Sequence, residues 1–363
     1  MANMNIRTPR FYCDLINYQM SRGKAQNGNF DVLDTNSGTH FVGIKSGGGT
    51  EAELFDMRPL NLVTFDTSAT AEKQADHAMI TVDVGDTNLL NGFIAILNHN
   101  LNTCKGKVRI GSSDSEGDIT DGDNMSGCDS LVITEVVNAD TISTTGVRCF
   151  EPATDGSSII TFPENNDRYY GIQFEGADGD SNIAQSDGDF DGSTDLTVGC
   201  ILIGEYYDMP NAPDLAVKRS VIFDQVKVQE SVGGQRYSNM TSHGRQASPT
   251  SKSPFSTTTA TTGGLQVFGG RMTYDMSFSY MASTDLMPDE YGTYNPTDDS
   301  FLEDVWNRVN GNHLPFIFSI DKDTPVANAE SEHMFARFGQ SNLDMNQVAP
   351  DVFNISLRIE EEF

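Results

Sequence analysis

Four aspartates around a glycine form the pattern in this sequence that is most typical of a bound ion. They lie in the segment DGDFDGSTD, at Asp187, Asp189, Asp191 and Asp195. Carboxylates at alternate positions before a glycine match the opening of a calcium loop, in which hard oxygens converge on one ion and the glycine permits a sharp turn. Val198 stands where an EF-hand has its bidentate glutamate, so a calcium site here is not of that kind. Bound calcium and a solvated acidic loop both remain open.

A second polar group, Asn98, His99 and Asn100, follows the apolar run at 93–97. Five consecutive apolar residues predict a strand buried on both faces, with the polar tripeptide at the rim of a sandwich. Amide and imidazole groups at a rim can bind a host glycan. They also form structural hydrogen-bond clusters at strand ends, and this alternative is kept.

The remaining chemistry-bearing residues do not indicate an enzyme. The sequence contains no GxSxG, HExxH or P-loop motif, and its six histidines are scattered without ligand spacing. With 52 Asp and Glu residues, any pair of carboxylates can be nominated for glycoside hydrolysis, so such a pair is uninformative. We therefore predict a protein that is not an enzyme, with no cofactor other than a calcium ion.

Charge and composition exclude several partners. The formal net charge of -29 repels nucleic acid and anionic lipid. Five cysteines without a CxxC pair predict reduced thiols, most of them buried. The sequence contains no run of about 18 apolar residues, so membrane insertion is not predicted. The first residues lack the apolar core of a signal peptide. We expect a soluble protein made in a cytoplasm.

The elements that position these residues are predicted to be mainly β. Eight short strands separated by turn-rich intervals predict an N-terminal jelly roll or β-sandwich over 58–207, after a segment with loops at 1–57. The strands are predicted at 58–65, 78–84, 93–97, 107–111, 131–136, 158–162, 169–174 and 196–206. Two prolines within 208–217 predict a linker that ends this domain.

A C-terminal β domain is predicted over 218–363. Alternating residues at 272–280 predict a strand with one buried face, and further strands are expected at 313–320, 334–338 and 353–359. One helix at 300–310 should cover this sheet, because Ser300 and Glu303 have capping-box spacing.

A Ser/Thr-rich segment at 238–264 is predicted to be an exposed, mobile loop. Arg236, Arg245 and Lys252 give it and its approach a positive balance within an acidic chain. This charge either keeps a loop soluble or marks an arm that binds an acidic neighbouring subunit, and we treat the three cations as a candidate oligomer contact.

The order of motifs resembles that of structural tail proteins of tailed bacteriophages, of the distal-tail or baseplate type. The resemblance rests on ILNHNL, ILIGEYYDMP, ESVGGQRY, FLEDVWNRV, LPFIFSIDKD and FNISLRIEE, within 58–238 and 264–362. It implies a galactose-binding-like jelly roll joined to a β domain that builds rings at the tail tip. A homo-oligomeric ring that contacts other tail proteins in the virion is then expected. Two alternatives are a carbohydrate-binding tail-tip or fibre protein and a capsid decoration protein.

Overall fold

In the computed structural model, β-strands make up most of the regular structure, and the chain is mainly β as predicted. The structure describes residues 7–25, 29–33, 41–85, 88–120, 125, 127–140, 142–144, 146–177, 188–222, 226–240, 245–246, 255, 261–262, 265–266, 268–288, 299–326, 329 and 332–362. All statements below concern these residues.

The strands are numbered in chain order. They are β1 (Arg10–Asp14), β2 (Phe30–Leu33), β3 (Val63–Thr64), β4 (Ala78–Asp83), β5 (Gly92–His99), β6 (Gly106–Ser113), β7 (Thr134–Val137), β8 (Arg148–Phe150), β9 (Gly156–Phe162), β10 (Tyr169–Gly176), β11 (Thr197–Val198), β12 (Cys200–Asp208), β13 (Lys218–Ile222), β14 (Val226–Glu230), β15 (Arg236–Met240), β16 (Arg245–Gln246), β17 (Thr261–Thr262), β18 (Leu265–Gln266), β19 (Phe268–Gly269), β20 (Arg271–Ala282), β21 (Phe316–Ser319), β22 (His333–Phe338), β23 (Asn346–Ala349) and β24 (Val352–Glu361).

The helices are short. They are α1 (Leu15–Ser21), α2 (Ala71–Ala75), α3 (Glu116–Thr120) and α4 (Ser283–Leu286), with a 3₁₀ helix at Glu51–Phe55 and a π-helix at Phe301–Asn307. Sequence periodicity predicted only the last of these, because helices of four to seven residues are too short to show a repeat.

Two sheets carry most of the fold. An eleven-stranded sheet has the order β13-β20-β24-β22-β21-β1-β12-β5-β9-β7, with β23 paired to β24. A five-stranded sheet has the order β2-β4-β10-β6-β8. All pairings within these two sheets are antiparallel.

The five-stranded sheet packs on one end of the large sheet, as a sandwich does. Alternate residues of both sheets, such as Ile94 and Ile203 on one side and Ile110 and Ile172 on the other, form the core between them. A second core lies towards the other end of the large sheet, where Phe316, Phe318 and Phe338 pack with the π-helix residue Phe301. The large sheet therefore supports two apolar cores.

Strand β1 joins these two parts. It pairs with β12 through Arg10 to Asp14 and with β21 through Arg10 to Tyr12. Phe11 packs into the second core, whereas Tyr12 points to the opposite face of the sheet. The segment 1–57, predicted as a segment with loops and without a firm assignment for 7–22, thus supplies a central strand of the large sheet.

Several predicted elements differ from the structure. The strand expected at 58–65 is reduced to β3, and the strand at Phe30–Leu33 was missed. Tyr280, predicted to be buried like the other even residues of its strand, is exposed and has a φ of 63°, because a bulge shifts the register between Phe278 and Met281. Met281 takes the buried position instead.

The predicted covering helix is present, in π form. The Ser300 side chain accepts a hydrogen bond from the Glu303 backbone N at 3.4 Å, as a capping residue does. The Ser300 backbone N donates to Asp304 Oδ2 at 2.9 Å. Asp304 therefore accepts the second hydrogen bond of the capping box, which we predicted for Glu303. Gly311, with a φ of 70°, ends the turn by donating to the Trp306 carbonyl.

The opposite face of the large sheet also carries a buried apolar cluster, which includes Tyr12, Ile317 and Phe335. Phe255 packs into this cluster and lies 6.0 Å, ring to ring, from His333. Most of the predicted 238–264 loop lies outside the described residues. At Phe255, however, the prediction of an exposed loop is wrong, because a single large apolar side chain in a polar segment is stabilised by burial.

Candidate functional site

The side chains at the predicted glycan rim point into the protein. Asn98 has a φ of 53° at a bulge between β5 and β9, and its Nδ2 donates to the Pro59 carbonyl at 2.7 Å. Asn100 Nδ2 donates to the Asp195 carbonyl at 2.8 Å, and its Oδ1 accepts from the Thr197 backbone N at 2.7 Å. Both side-chain amides hydrogen-bond backbone groups of neighbouring segments, which favours a structural role for this tripeptide over glycan binding.

His99 is buried between them. Its Nε2 lies 2.8 Å from Ser158 Oγ, and its Nδ1 accepts from the Leu101 backbone N at 3.3 Å. Burial lowers the pKa of His99 to about 4, because charging the ring there would lose its hydration. The ring is therefore neutral at pH 7 and acts as a structural hydrogen-bonding group.

The predicted calcium ligands are only partly described, because Asp187 lies outside the described residues. Asp195 is bound by Lys45 Nζ at 2.5 Å, and its other oxygen accepts from the backbone N and hydroxyl of Ser68 at 2.9 and 2.7 Å. Burial acts to raise the pKa of Asp195, but these hydrogen bonds lower it below its usual value. Its carboxylate therefore already has a structural role.

The described neighbours Asp189 and Asp191 make their contacts with groups other than Asp195. Asp191 Oδ2 accepts from the backbone N and hydroxyl of Ser193, and its Oδ1 lies 3.7 Å from Lys105 Nζ. Asp189 lines a separate groove, described below. Among the described residues, no three His, Cys, Asp or Glu side chains lie close enough together to hold a metal ion.

Two buried ion clusters were missed by sequence reasoning. Lys107, Arg109 and Glu175 are almost completely buried on β6 and β10, with Lys107 Nζ 3.2 Å and Arg109 Nη2 3.0 Å from Glu175 Oε2. Burial acts to raise the pKa of Glu175, but the hydrogen bonds and charge of Arg109 and the charge of Lys107 lower it. Only the pairing of two strands brings these charges together, so local sequence carries no signal for them.

The second cluster lies where the π-helix meets β12. Arg308 Nη2 is 2.5 Å from Glu205 Oε2 and 3.8 Å from Asp304 Oδ1. Burial raises the pKa of Asp304 to about 8, even though Arg308 acts to lower it. These ionic contacts hold the π-helix against β12 of the large sheet.

Two surface grooves have volumes in the range of small ligand pockets. One, of about 430 Å³, follows the predicted rim and is lined by Leu101, Asn102, Lys105, Gly106, Glu151, Pro152, Ala177 and Asp189. The other, of about 350 Å³, is lined by Met57, Arg58, Pro59, Leu60, Asn61, Phe335 and Glu362. We call them the rim groove and the seam groove.

The most unusual surface lies after β13. Among the described residues, strands β14 and β15 form a two-stranded hairpin that pairs with neither the eleven-stranded nor the five-stranded sheet, and β13 is an edge strand of the large sheet. We call residues 226–240 the hairpin arm. Of twelve exposed large apolar side chains in the described chain, six belong to β13 or the arm. These are Val221, Ile222, Val226, Val228, Val232 and Tyr237.

Such a concentration of exposed apolar side chains is typical of an interaction surface. An edge strand and an isolated hairpin also present unpaired backbone groups, which pair readily with another chain. The C-terminal domain was predicted to begin at 218, with no contact surface assigned to 219–228. The structure divides 219–228 between β13 and β14, with those valines exposed.

The charge of this region is opposite to that of the rest of the chain. Residues 218–240, which cover β13 and the hairpin arm, contain four Lys or Arg and two Asp or Glu, a net +2, which leaves -31 elsewhere in a chain of -29. Arg236 lies on the arm, with its side chain mostly exposed and 3.3 Å from Glu230. The Arg245 side chain and Lys252 lie outside the described residues, so their predicted contact role stays a prediction.

Comparisons with known proteins add no family to this description. No protein-family model matches the sequence, and no curated protein matches it significantly.

In the described part of the chain, no helix has the length and hydropathy that a membrane span needs. All five cysteines are free thiols and four of them are buried, as predicted.

Proposed function

We propose that this chain is a non-enzymatic structural subunit of a tailed-bacteriophage virion that assembles into a ring in the tail or baseplate. The observation that carries this proposal is the hairpin arm with its edge strand. Apolar side chains, open backbone edges and a positive charge are combined there on an otherwise acidic protein. A second copy of the chain offers the acidic surface that this arm complements.

The architecture supports a structural role. One sheet runs through both parts of the chain, and β1 is hydrogen-bonded to each part. Two cores on a shared sheet make a stiff unit, so that subunits joined at one end can hold the other end in a fixed position.

Light scattering on the purified full chain tests assembly. We expect a mass that is a multiple of the 39.6 kDa subunit. Val228→Asp should reduce it to the subunit mass, because a carboxylate would be buried in the contact. Val132→Asp is the matched control, since Val132 is equally exposed but lies outside the arm. A wild-type chain that stays monomeric at all concentrations would contradict the proposal.

The position in the virion requires a separate test. Immunogold labelling of particles of the virus that carries this gene should place gold at the tail end. Gold distributed over the head would instead support the capsid decoration alternative.

The rim groove supports the carbohydrate-binding alternative. It lies directly after the predicted rim and carries amide, ammonium and carboxylate groups on Asn102, Lys105 and Asp189, which can hydrogen-bond sugar hydroxyls. A glycan array probed with and without calcium tests it. Binding that is abolished by Asn102→Ala would support a tail-tip adhesin, whereas a blank array would remove this candidate.

A further inference from the structure

One cation is shared by two carboxylates where the π-helix meets the large sheet. The side chains of Arg308, Glu205 and Asp304 are only 3%, 11% and 14% exposed. Arg308 Nη2 lies 2.5 Å from Glu205 Oε2 and 3.8 Å from Asp304 Oδ1. Two negative charges against one positive charge would leave a charge uncompensated, which is costly in a buried place. The cluster therefore favours a bound proton.

The geometry places that proton on Asp304. Both oxygens of Glu205 accept hydrogen bonds, one from Arg308 and the other from the Leu90 backbone N at 2.8 Å. Asp304 Oδ2 accepts from the Ser300 backbone N at 2.9 Å, whereas its Oδ1 is beyond hydrogen-bond distance of the guanidinium. Hydrogen bonds from donors favour the ionised form of a carboxylate, so Glu205 keeps the charge. The pKa of Asp304, raised by burial to about 8, agrees with this assignment.

The titratable groups nearest to Asp304 leave this charge imbalance in place. Asp299, just before the helix, acts on the pKa of Asp304 in the same upward direction as Glu205. Burial raises the pKa values of Cys13 on β1 and Tyr207 on β12, so both groups stay neutral. Neither neutral group can compensate a second carboxylate.

The other elements packed against the helix contribute acidic, phenolic or apolar groups. Strand β1 ends at Asp14, whose carboxylate accepts from the Asn17 backbone N at 2.7 Å. The Tyr18 ring of α1 lies 5.5 Å from the Arg308 guanidinium, α4 carries Asp285, and β22 places Phe338 against the helix. Arg308 is thus the cation on which both carboxylates of the cluster depend.

The helix that carries this cluster contacts both parts of the chain. Its residues Phe301 and Val305 are buried in the second core. Glu205 connects Arg308 to the backbone of Leu90, which precedes β5 of the sandwich. The charge of the cluster therefore acts where the helix holds the two parts together.

We propose that Arg308, Glu205 and Asp304 form a proton-operated latch, in which protonated Asp304 holds the π-helix closed on β12 and loss of the proton releases the helix. Closure binds the proton more tightly than water does, where an aspartate has a pKa of about 3.9. The latch is therefore most stable in acid and weakens as the pH rises from about 4 to about 8. The latch lies within one chain and does not depend on the proposed ring.

Hydrogen exchange of the full chain across this pH range, corrected for the intrinsic exchange rate, tests the latch. The opening constant of the helix amides at 301–309 should rise about tenfold per pH unit, because one pKa unit is a tenfold change in proton affinity. The rise should level off near pH 8, where Asp304 is ionised in the closed state as well. Asp304→Asn is neutral at every pH and should remove the dependence.

Glu303→Gln is the matched control, because it removes a carboxylate from the same turn and leaves the three groups of the latch in place. It should retain the slope of the wild type. An equal slope in the wild type and in Asp304→Asn would overturn the latch. So would an equal rise of exchange in β10 of the sandwich, since that would report unfolding of the whole chain and not release of the helix.

A second variant tests whether the two carboxylates share one cation. Glu205→Gln keeps an acceptor for the Leu90 backbone N and leaves the charge of Arg308 to Asp304 alone. Asp304 should then ionise more easily, and the pH at which exchange levels off should fall by about one unit or more. A levelling point that stays where it is in the wild type would contradict the shared cation.

Discussion

At the scale of single residues, His99 shows how burial changes the role of a polar group. Its hydrogen bonds to Ser158 and Leu101 require a neutral ring, and burial holds its pKa at about 4. An unfolded histidine has a pKa of about 6.5. The unfolded chain therefore binds a proton more tightly, and stability from this residue is present above pH 6.5 and lost as the pH falls towards 4.

We predict that His99→Gln removes this pH dependence. Between pH 7 and pH 4.5, the wild type should lose up to about 3 kcal/mol relative to the variant. Urea unfolding of both proteins across this range measures the difference. Parallel stability curves would mean that His99 is not buried as a neutral ring.

Asp195 gives a prediction about calcium. Its carboxylate is already bound by Lys45 and Ser68, so an ion would have to displace the lysine. We expect the melting temperature to be the same in millimolar calcium and in a chelator. A clear rise with calcium, abolished by Asp195→Asn, would restore the calcium loop that the sequence pattern indicates.

At the scale of elements, the π-helix depends on one cation. Arg308 is almost completely buried beside Glu205 and Asp304, whose own pKa of about 8 keeps it mostly protonated at pH 7. We predict that Arg308→Met costs about 3–5 kcal/mol, because it leaves Glu205 with an uncompensated charge. Asp304→Asn should cost less than about 1 kcal/mol, since the native group is already largely neutral. Chemical denaturation measures both, and equal costs would contradict the assigned charges.

Strand β1 depends on a glycine in its partner. A Cβ at Gly204 would lie 2.2 Å from the Cys13 carbonyl oxygen, a backbone atom that cannot move aside. We predict that Gly204→Ala separates β1 from β12 and lowers hydrogen-exchange protection in both β5 and β21. Gly117→Ala is the control, because its nearest neighbour is a side-chain oxygen at 3.6 Å. Loss of protection confined to β5 would show that β1 does not couple the two parts.

Sequence predicted those elements whose stability is local. The strand at 93–97 and the alternating part of β20 follow from apolar periodicity, and the helix at 300–310 follows from its cap. The central position of β1 could not be predicted, because it results from pairing between residues almost 200 and 310 positions apart. The bulge at Tyr280 is likewise set by the partner strand.

The candidate interface was predicted in part. The positive balance around Arg236 indicated the same region as the exposed valines, since charge can be read directly from sequence. The valines of β14 could not be recognised as a contact surface. Their alternation is identical to that of a half-buried strand, and only the structure shows that these side chains are exposed.

At the scale of the whole molecule, charge is distributed as an assembling protein requires. In the proposed assembly, the acidic body keeps separate subunits apart in solution, while β13 and the hairpin arm provide one attractive surface per copy. The large sheet connects β13 to the sandwich at its other end. In the proposed ring, contact between unlike surfaces would orient every sandwich in the same direction.

Cryo-electron microscopy of the purified full chain tests this account most directly. It predicts closed rings in which residues 226–240 of each subunit contact the next subunit. A structure in which the chain is monomeric, or in which the hairpin arm folds back on its own subunit, would contradict it.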